Sequence, residues 1–211
     1  MAERLWKIYR FRELDYERAA PQRAKINAVM KRAADLVKEA CTHEKVQKLD
    51  LAMRCFADSF SLSEQGLHLQ DKLLTPFCYD NSVVDGNLAL NEGIAVLQTL
   101  LIGTGGTAFS NANSYLGVGD SSTAASATQT GLQAATNKLY MAMDTSFPSI
   151  SAQTITWQST YAPGDANFAW NEFTVGNGSS DASANLNRKV SSQGTKASGQ
   201  VWTLQLAITT S

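Results

Sequence analysis

The sequence predicts an α+β protein, with an N-terminal helical region followed by a C-terminal antiparallel β-sandwich of jelly-roll-like form. Three observations predict it. Charge is dense at the start, with 14 Lys/Arg against 11 Asp/Glu in residues 1–72, and sparse afterwards, with 4 against 8 in residues 73–211. Apolar residues recur at helical spacing in the first part. Period-two alternation between turn signals dominates the end, and a change of texture of this kind marks separate modules. The chain divides on this reading into residues 1–75, a helical docking and oligomerisation region; residues 76–103, a loop and a buried connecting helix; and residues 104–211, the sandwich.

Residues 21–60 contain no glycine and no second proline. Apolar residues fall at Ile26, Val29, Ala33, Leu36 and Ala40, the seam of an amphipathic helix that Pro21 suits at its first turn. The spacing returns out of phase at Val46, Leu49, Met53, Phe56 and Phe60. Either a hairpin breaks near Thr42 or one long helix carries a phase slip. Ser61 with Glu64 has the form of a capping box for a further short helix. The segment before Pro21, with Leu5, Ile8, Tyr9 and Phe11 among Lys and Arg, is also compatible with helix. In LALNEGIAVLQTLLIG, Asn87 is placed as N-cap and Gly103 as the C′ residue of a helix whose wide apolar face predicts burial.

After Gly103, VWTLQLAITT alternates Trp202, Leu204, Leu206 and Ile208 with Thr203, Gln205 and Thr209, the pattern of a half-buried strand. Further strands are predicted over residues 115–118, 138–143, 153–161, 168–175 and 186–191, joined by turns such as APGD and GNGSS. The segment SSTAASATQTGLQAAT is predicted as a long loop or a short helix crossing one end of the sandwich.

The chemistry-bearing residues point away from catalysis. Asp165 and Glu172 are spaced like paired carboxylates, but Asp165 sits in PGDAN, a turn its side chain suits, and Glu172 lies inside an alternating strand. Phe168, Trp170 and Phe173 place aromatics on both faces of one segment, which predicts core packing rather than a stacking platform. The glycines of GTGGTAF and GVGD read as turn glycines, since no phosphate-binding lysine motif accompanies them. Cys41, Cys55 and Cys78 form no zinc spacing and read as buried thiols. His43 and His68 have no nucleophile arranged beside them, so no catalytic, metal or cofactor residue is assigned. The NGS triplet at Asn177 reads as turn composition. Acidic residues interleave the basic, aromatic start, which argues against nucleic acid and for protein docking. The residues assigned to docking are Trp6, Tyr9, Ile26, Val29, Leu36, Leu49, Met53 and Phe56. The absence of a long apolar run and of a secretory N-terminus predicts no membrane span and assembly in a cytoplasm.

Residues 87–211 resemble a family of tailed-bacteriophage virion structural proteins. The resemblance is carried by NLALNEGIAVLQTLLIGTGGTAFSNANSYLGVGDSSTAASATQTGLQ, KLYMAMD, PGDANFAWNEFTVGNGSS, LNRKVSSQGTKASG and VWTLQLAITTS, in that order. It implies a virion component, assembled in the host cytoplasm, with no catalytic residue to carry over. The expected role is an accessory capsid protein that decorates or cements the head. Its expected partners are the major capsid protein or other virion proteins, and its expected form a homo-oligomer such as a trimer. The alternative is a tail or baseplate appendage whose sandwich binds host-surface glycan through exposed Trp157, Tyr161 or Trp170.

Overall fold

The computed structural model describes residues 3–42, 72–73 and 77–210. In chain order the elements are β1 (Glu3–Arg12), α1 (Glu13–Arg18), α2 (Ala20–Thr42), β2 (Asp80–Asp85), β3 (Leu88–Ala89), α3 (Asn91–Leu101), β4 (Tyr115–Gly119) and β5 (Lys138–Ala142). They continue with β6 (Ser149–Ser151), β7 (Thr154–Tyr161), β8 (Glu172–Gly176), β9 (Asn187–Val190) and β10 (Gln200–Thr209). The strands form two five-stranded sheets, β2-β1-β10-β7-β6 and β3-β9-β8-β4-β5. Every pairing is antiparallel.

The two sheets share one apolar core. Trp6 and Ile8 of β1, Trp157 and Tyr161 of β7, and Trp202, Leu204 and Leu206 of β10 meet Leu116 and Val118 of β4 and Phe173 and Val175 of β8. Trp170 sits at its centre, with ring centroids 4.7 Å from Tyr161 and 4.8 Å from Trp202 in edge-on contacts, the geometry that aromatic quadrupoles favour. The alternation predicted for residues 200–209 is realised in β10. The predicted strands at 115–118, 138–143, 153–161 and 186–191 appear as β4, β5, β7 and β9 with small shifts at their ends. The prediction for 168–175 is realised only in part, because β8 begins at Glu172 and Ala169 makes only an isolated bridge to Thr195.

The N-terminus corrects the helical expectation. Residues 3–12 are a strand paired along its whole length with β10, from Glu3 opposite Thr209 to Arg12 opposite Gln200, and with β2 on its other side. A strand covered on both faces loses its alternation. Here Trp6 and Ile8 face the inter-sheet core while Tyr9 and Phe11 join a second cluster with Ile26 and Met30 of α2. The resulting apolar run imitates helical spacing. Residues 1–75 therefore do not form a wholly helical unit, since their first strand lies inside the first sheet, between β2 and β10.

The strand order also departs from a jelly roll. Consecutive strands pair within one sheet as β1–β2, β4–β5, β6–β7 and β8–β9, in place of the two Greek keys that define that fold.

The predicted helix after Pro21 is present as α2, with Ile26, Met30, Ala33 and Leu36 buried. It lies on the outer face of the first sheet, against Tyr9, Phe11, Val201 and Phe147. Whether helix continues past Thr42, and the expected helix opening at Ser61, are matters outside the described residues.

The helix α3 corrects two expectations. Its N-cap is Leu90 rather than Asn87, and of its residues only Gly93 is buried. Gly103 has the positive φ of +71° expected of a C′ glycine. Residues 120–137 run as an irregular segment with turns, without a helix, and fasten onto the second sheet through hydrogen bonds described below.

Candidate functional site

Of the residues assigned to docking, those among the described residues are mostly interior. Trp6, Tyr9, Ile26 and Leu36 are buried and belong to the interior, while Val29 is half-buried. Leu49, Met53 and Phe56 lie outside the described residues, as do Cys55, His43 and His68. Cys78 is half-buried, and burial pushes its thiol up to about 12, consistent with an unreactive thiol.

Asp165 and Glu172 are occupied structurally. The Asp165 carboxylate accepts the Ala162 amide at 2.9 Å within its own turn. Lys196, fully buried, closes the same turn by donating to Ala162 O, Asp165 O and Asn167 Oδ1 at 2.8–2.9 Å, while burial lowers its ammonium to about 8. Glu172 is fully buried beneath residues 129–134. It accepts Arg188 Nε at 2.7 Å and the Gln133 and Ala134 amides at 2.9 and 2.7 Å. Arg188, equally buried, reaches Gln129 Oε1 at 2.9 Å. A carboxylate with this many donors is a clamp that ties the irregular segment to β8 and β9.

A second cluster repeats the device nearby. Asp181 accepts from Tyr140 Oη at 2.6 Å, from the Leu132 amide at 3.1 Å and from Lys138. The glycines of GVGD are strand glycines rather than turn glycines, because a Cβ at Gly119 would sit 2.5 Å from Glu172 Oε1. Glycine there makes room for the clamp.

The aromatics of the glycan reading are buried. Trp157, Tyr161 and Trp170 lie in the inter-sheet core, so no stacking platform is exposed by them.

A polar niche of about 180 Å³ separates α2 from the first sheet. Asp144 lies in it and accepts the Thr160 amide at 3.0 Å, Thr160 Oγ1 at 2.8 Å and Gln158 Nε2 at 3.0 Å. Burial raises its pKa above the ordinary aspartate value, against the pull of those donors and of Arg23.

Among the described residues, α3 leaves several apolar side chains uncovered. Its first turn is fastened tightly: the Leu90 amide donates to Leu186 O at 3.1 Å, the Asn91 amide to Ala127 O at 2.8 Å, and Glu92 Oε1 accepts the Asn185 amide at 2.8 Å. Gly93 permits this approach, since a Cβ there would fall on the Leu186 backbone and within 2.7 Å of Asn185 O. Its far end is open, with Leu97 47%, Leu101 85% and Ile102 72% exposed. Clustered apolar exposure of this kind marks interaction surfaces. The sequence carried a signal for it, namely more apolar residues in IAVLQTLLI than one helix face can bury.

Among the described residues no group of three or more His, Cys, Asp or Glu is placed to hold a metal ion, and no helix is long and apolar enough to cross a membrane. No family model, no curated protein and no solved structure matches the chain.

Proposed function

We propose that the protein is a non-enzymatic structural component of a tailed-bacteriophage virion, an accessory capsid protein that decorates or cements the head as a homo-oligomer. The observation that carries the reading is the exposed apolar tip of α3, Leu101 and Ile102, held out from a rigidly fastened first turn. Buried apolar area is the main driving force of protein association, and a repeated shell engages many copies at once. We read the two-sheet body as a β-sandwich that supports this tip. The carboxylates a hydrolase would use are instead committed to backbone amides and Arg188. The partner surface on this reading is the major capsid protein or another virion protein, and the resemblance of residues 87–211 supports it.

The test is gold-labelled antibody against residues 104–211 on purified virions, viewed by electron microscopy. Dense label over the head, lost from virions assembled with Leu101→Asp protein, is the expected result. Label confined to the tail, or none, overturns it.

A further inference from the structure

Behind α3 the two sheets part to leave a cavity of about 810 Å³, within the ~300–1,000 Å³ typical of small-molecule sites. Its walls are aliphatic: Ile94, Leu97 and Leu100 of α3 face Ile150 of β6, Ile155 of β7 and Ile208 of β10. None of its lining residues is Asp, Glu, Lys or Arg. It is therefore a poor host for any charged group, which would be desolvated without a counter-ion.

A second observation shows that the cavity is not merely greasy. Three lining residues carry a buried polar atom with no hydrogen-bond partner: Trp157 Nε1, Asn187 Nδ2 and Ser149 Oγ. Trp157 and Asn187 are 4% and 2% exposed. The orientation of the Asn187 amide is fixed, because its Oδ1 accepts the Val175 amide at 2.9 Å. The atom left over is thus a donor, as is the indole nitrogen. Unpartnered buried atoms also occur away from the cavity, at Trp6 Nε1 and Ser114 Oγ, but buried donors without partners are uncommon in folded proteins and here several of them gather beside one cavity. Two fixed donors and a hydroxyl on an uncharged apolar cavity call for a ligand that brings acceptors and no charge.

We propose that this cavity binds a neutral amphiphile, an aliphatic chain carrying an ester or hydroxyl oxygen, with the chain along α3 and the oxygen on the side of Trp157 and Asn187. The cavity shares Leu97 with the exposed face of α3 but includes neither Leu101 nor Ile102, so it is tested separately from the virion reading.

The test uses the full chain and the neutral fluorophore N-phenyl-1-naphthylamine, displaced in turn by methyl decanoate, by decanol and by sodium decanoate at neutral pH. Saturable binding of about one probe per chain is expected, displaced by the ester and the alcohol at least tenfold more effectively than by the carboxylate. Leu97→Trp, which fills the cavity from an exposed helix position, removes probe binding with the thermal transition unchanged. Trp157→Phe keeps an aromatic side chain, though a smaller one, but removes the donor, and lowers the affinity for methyl decanoate several-fold more than that for decane. The proposal is overturned by non-saturable binding, by full binding to the Leu97→Trp variant, or by decanoate binding as well as its ester. It is equally overturned if binding disappears as the protein self-associates, since the cavity then belongs to an interface between copies.

Discussion

The two long described helices treat their apolar residues in opposite ways. Helix α2 lays Ile26, Met30 and Ala33 against the outer face of the first sheet, where Tyr9, Phe11 and Val201 receive them. Helix α3 is fastened by its first turn to Leu186 and Ala127 and then leaves Leu97, Leu101 and Ile102 in solvent. One helix completes the core. The other is a bracket that holds apolar surface outward. The difference teaches that an apolar pattern does not say which helix is structural, and that the location of backbone anchors and of a receiving surface does.

The sharpest way to break this comparison is to place the same charge on each helix. Met30→Asp puts an unpaired carboxylate into a closed cluster, and a loss of about 4 kcal/mol or more in chemical denaturation is expected. A mild effect there would mean that α2 is not a core element. Next in size is Gly93→Ala. Its added methyl meets the Leu186 backbone and Asn185 O, neither of which is a flexible side-chain end, so a loss of about 2 kcal/mol is expected, the scale of overpacking a close contact. Full stability in that variant would show that α3 is not pinned at its first turn.

A smaller effect separates the underside of α2 from the rest of the surface. Burial raises the pKa of Asp144 above the ordinary value of 3.8, so its contribution to stability is fully present below that value and is lost as pH rises through the folded pKa. Wild type should therefore lose stability relative to Asp144→Asn as pH is raised from acid toward neutrality. A gap that stays constant or moves the other way in parallel denaturation curves would contradict the assignment. The smallest effect is expected for Leu101→Asp, within about 0.5 kcal/mol of wild type because the side chain is already in water. A large loss would mean that the tip is covered in the free protein, and the contrast between the helices would collapse.

Much of the architecture was legible one segment at a time. Helix α2 was read from the recurrence at Ile26, Ala33 and Leu36, β10 from the alternation of Trp202, Leu204 and Leu206, and the turn role of Asp165 from PGDAN. The core packing of Phe168, Trp170 and Phe173 followed from their lying on both faces of one segment. Local patterns of this kind arise whenever an element has one wet and one dry face.

The candidate site was less legible. The docking residues named from the sequence included Trp6, Tyr9 and Ile26, which the fold buries, and omitted Leu101 and Ile102, which it exposes. Hydrophobicity reports that a residue avoids water, not which neighbour relieves it.

Chain composition and periodicity by themselves determined that a charged helical stretch and a sparsely charged strand-rich stretch exist, where most strands lie, and that Asp165 and Glu172 suit structural places. Tertiary structure alone decided that residues 3–12 are a strand inside the sheet, because only pairing with β10 on one side and β2 on the other, with a core below and α2 above, makes a segment of mixed charged and apolar residues without clean alternation extended. It alone brought Arg188 to Glu172 and left Trp157 and Asn187 with unmet donors on one cavity. These residues are far apart in the chain, and the free energy of their contacts depends on a juxtaposition that no local pattern encodes.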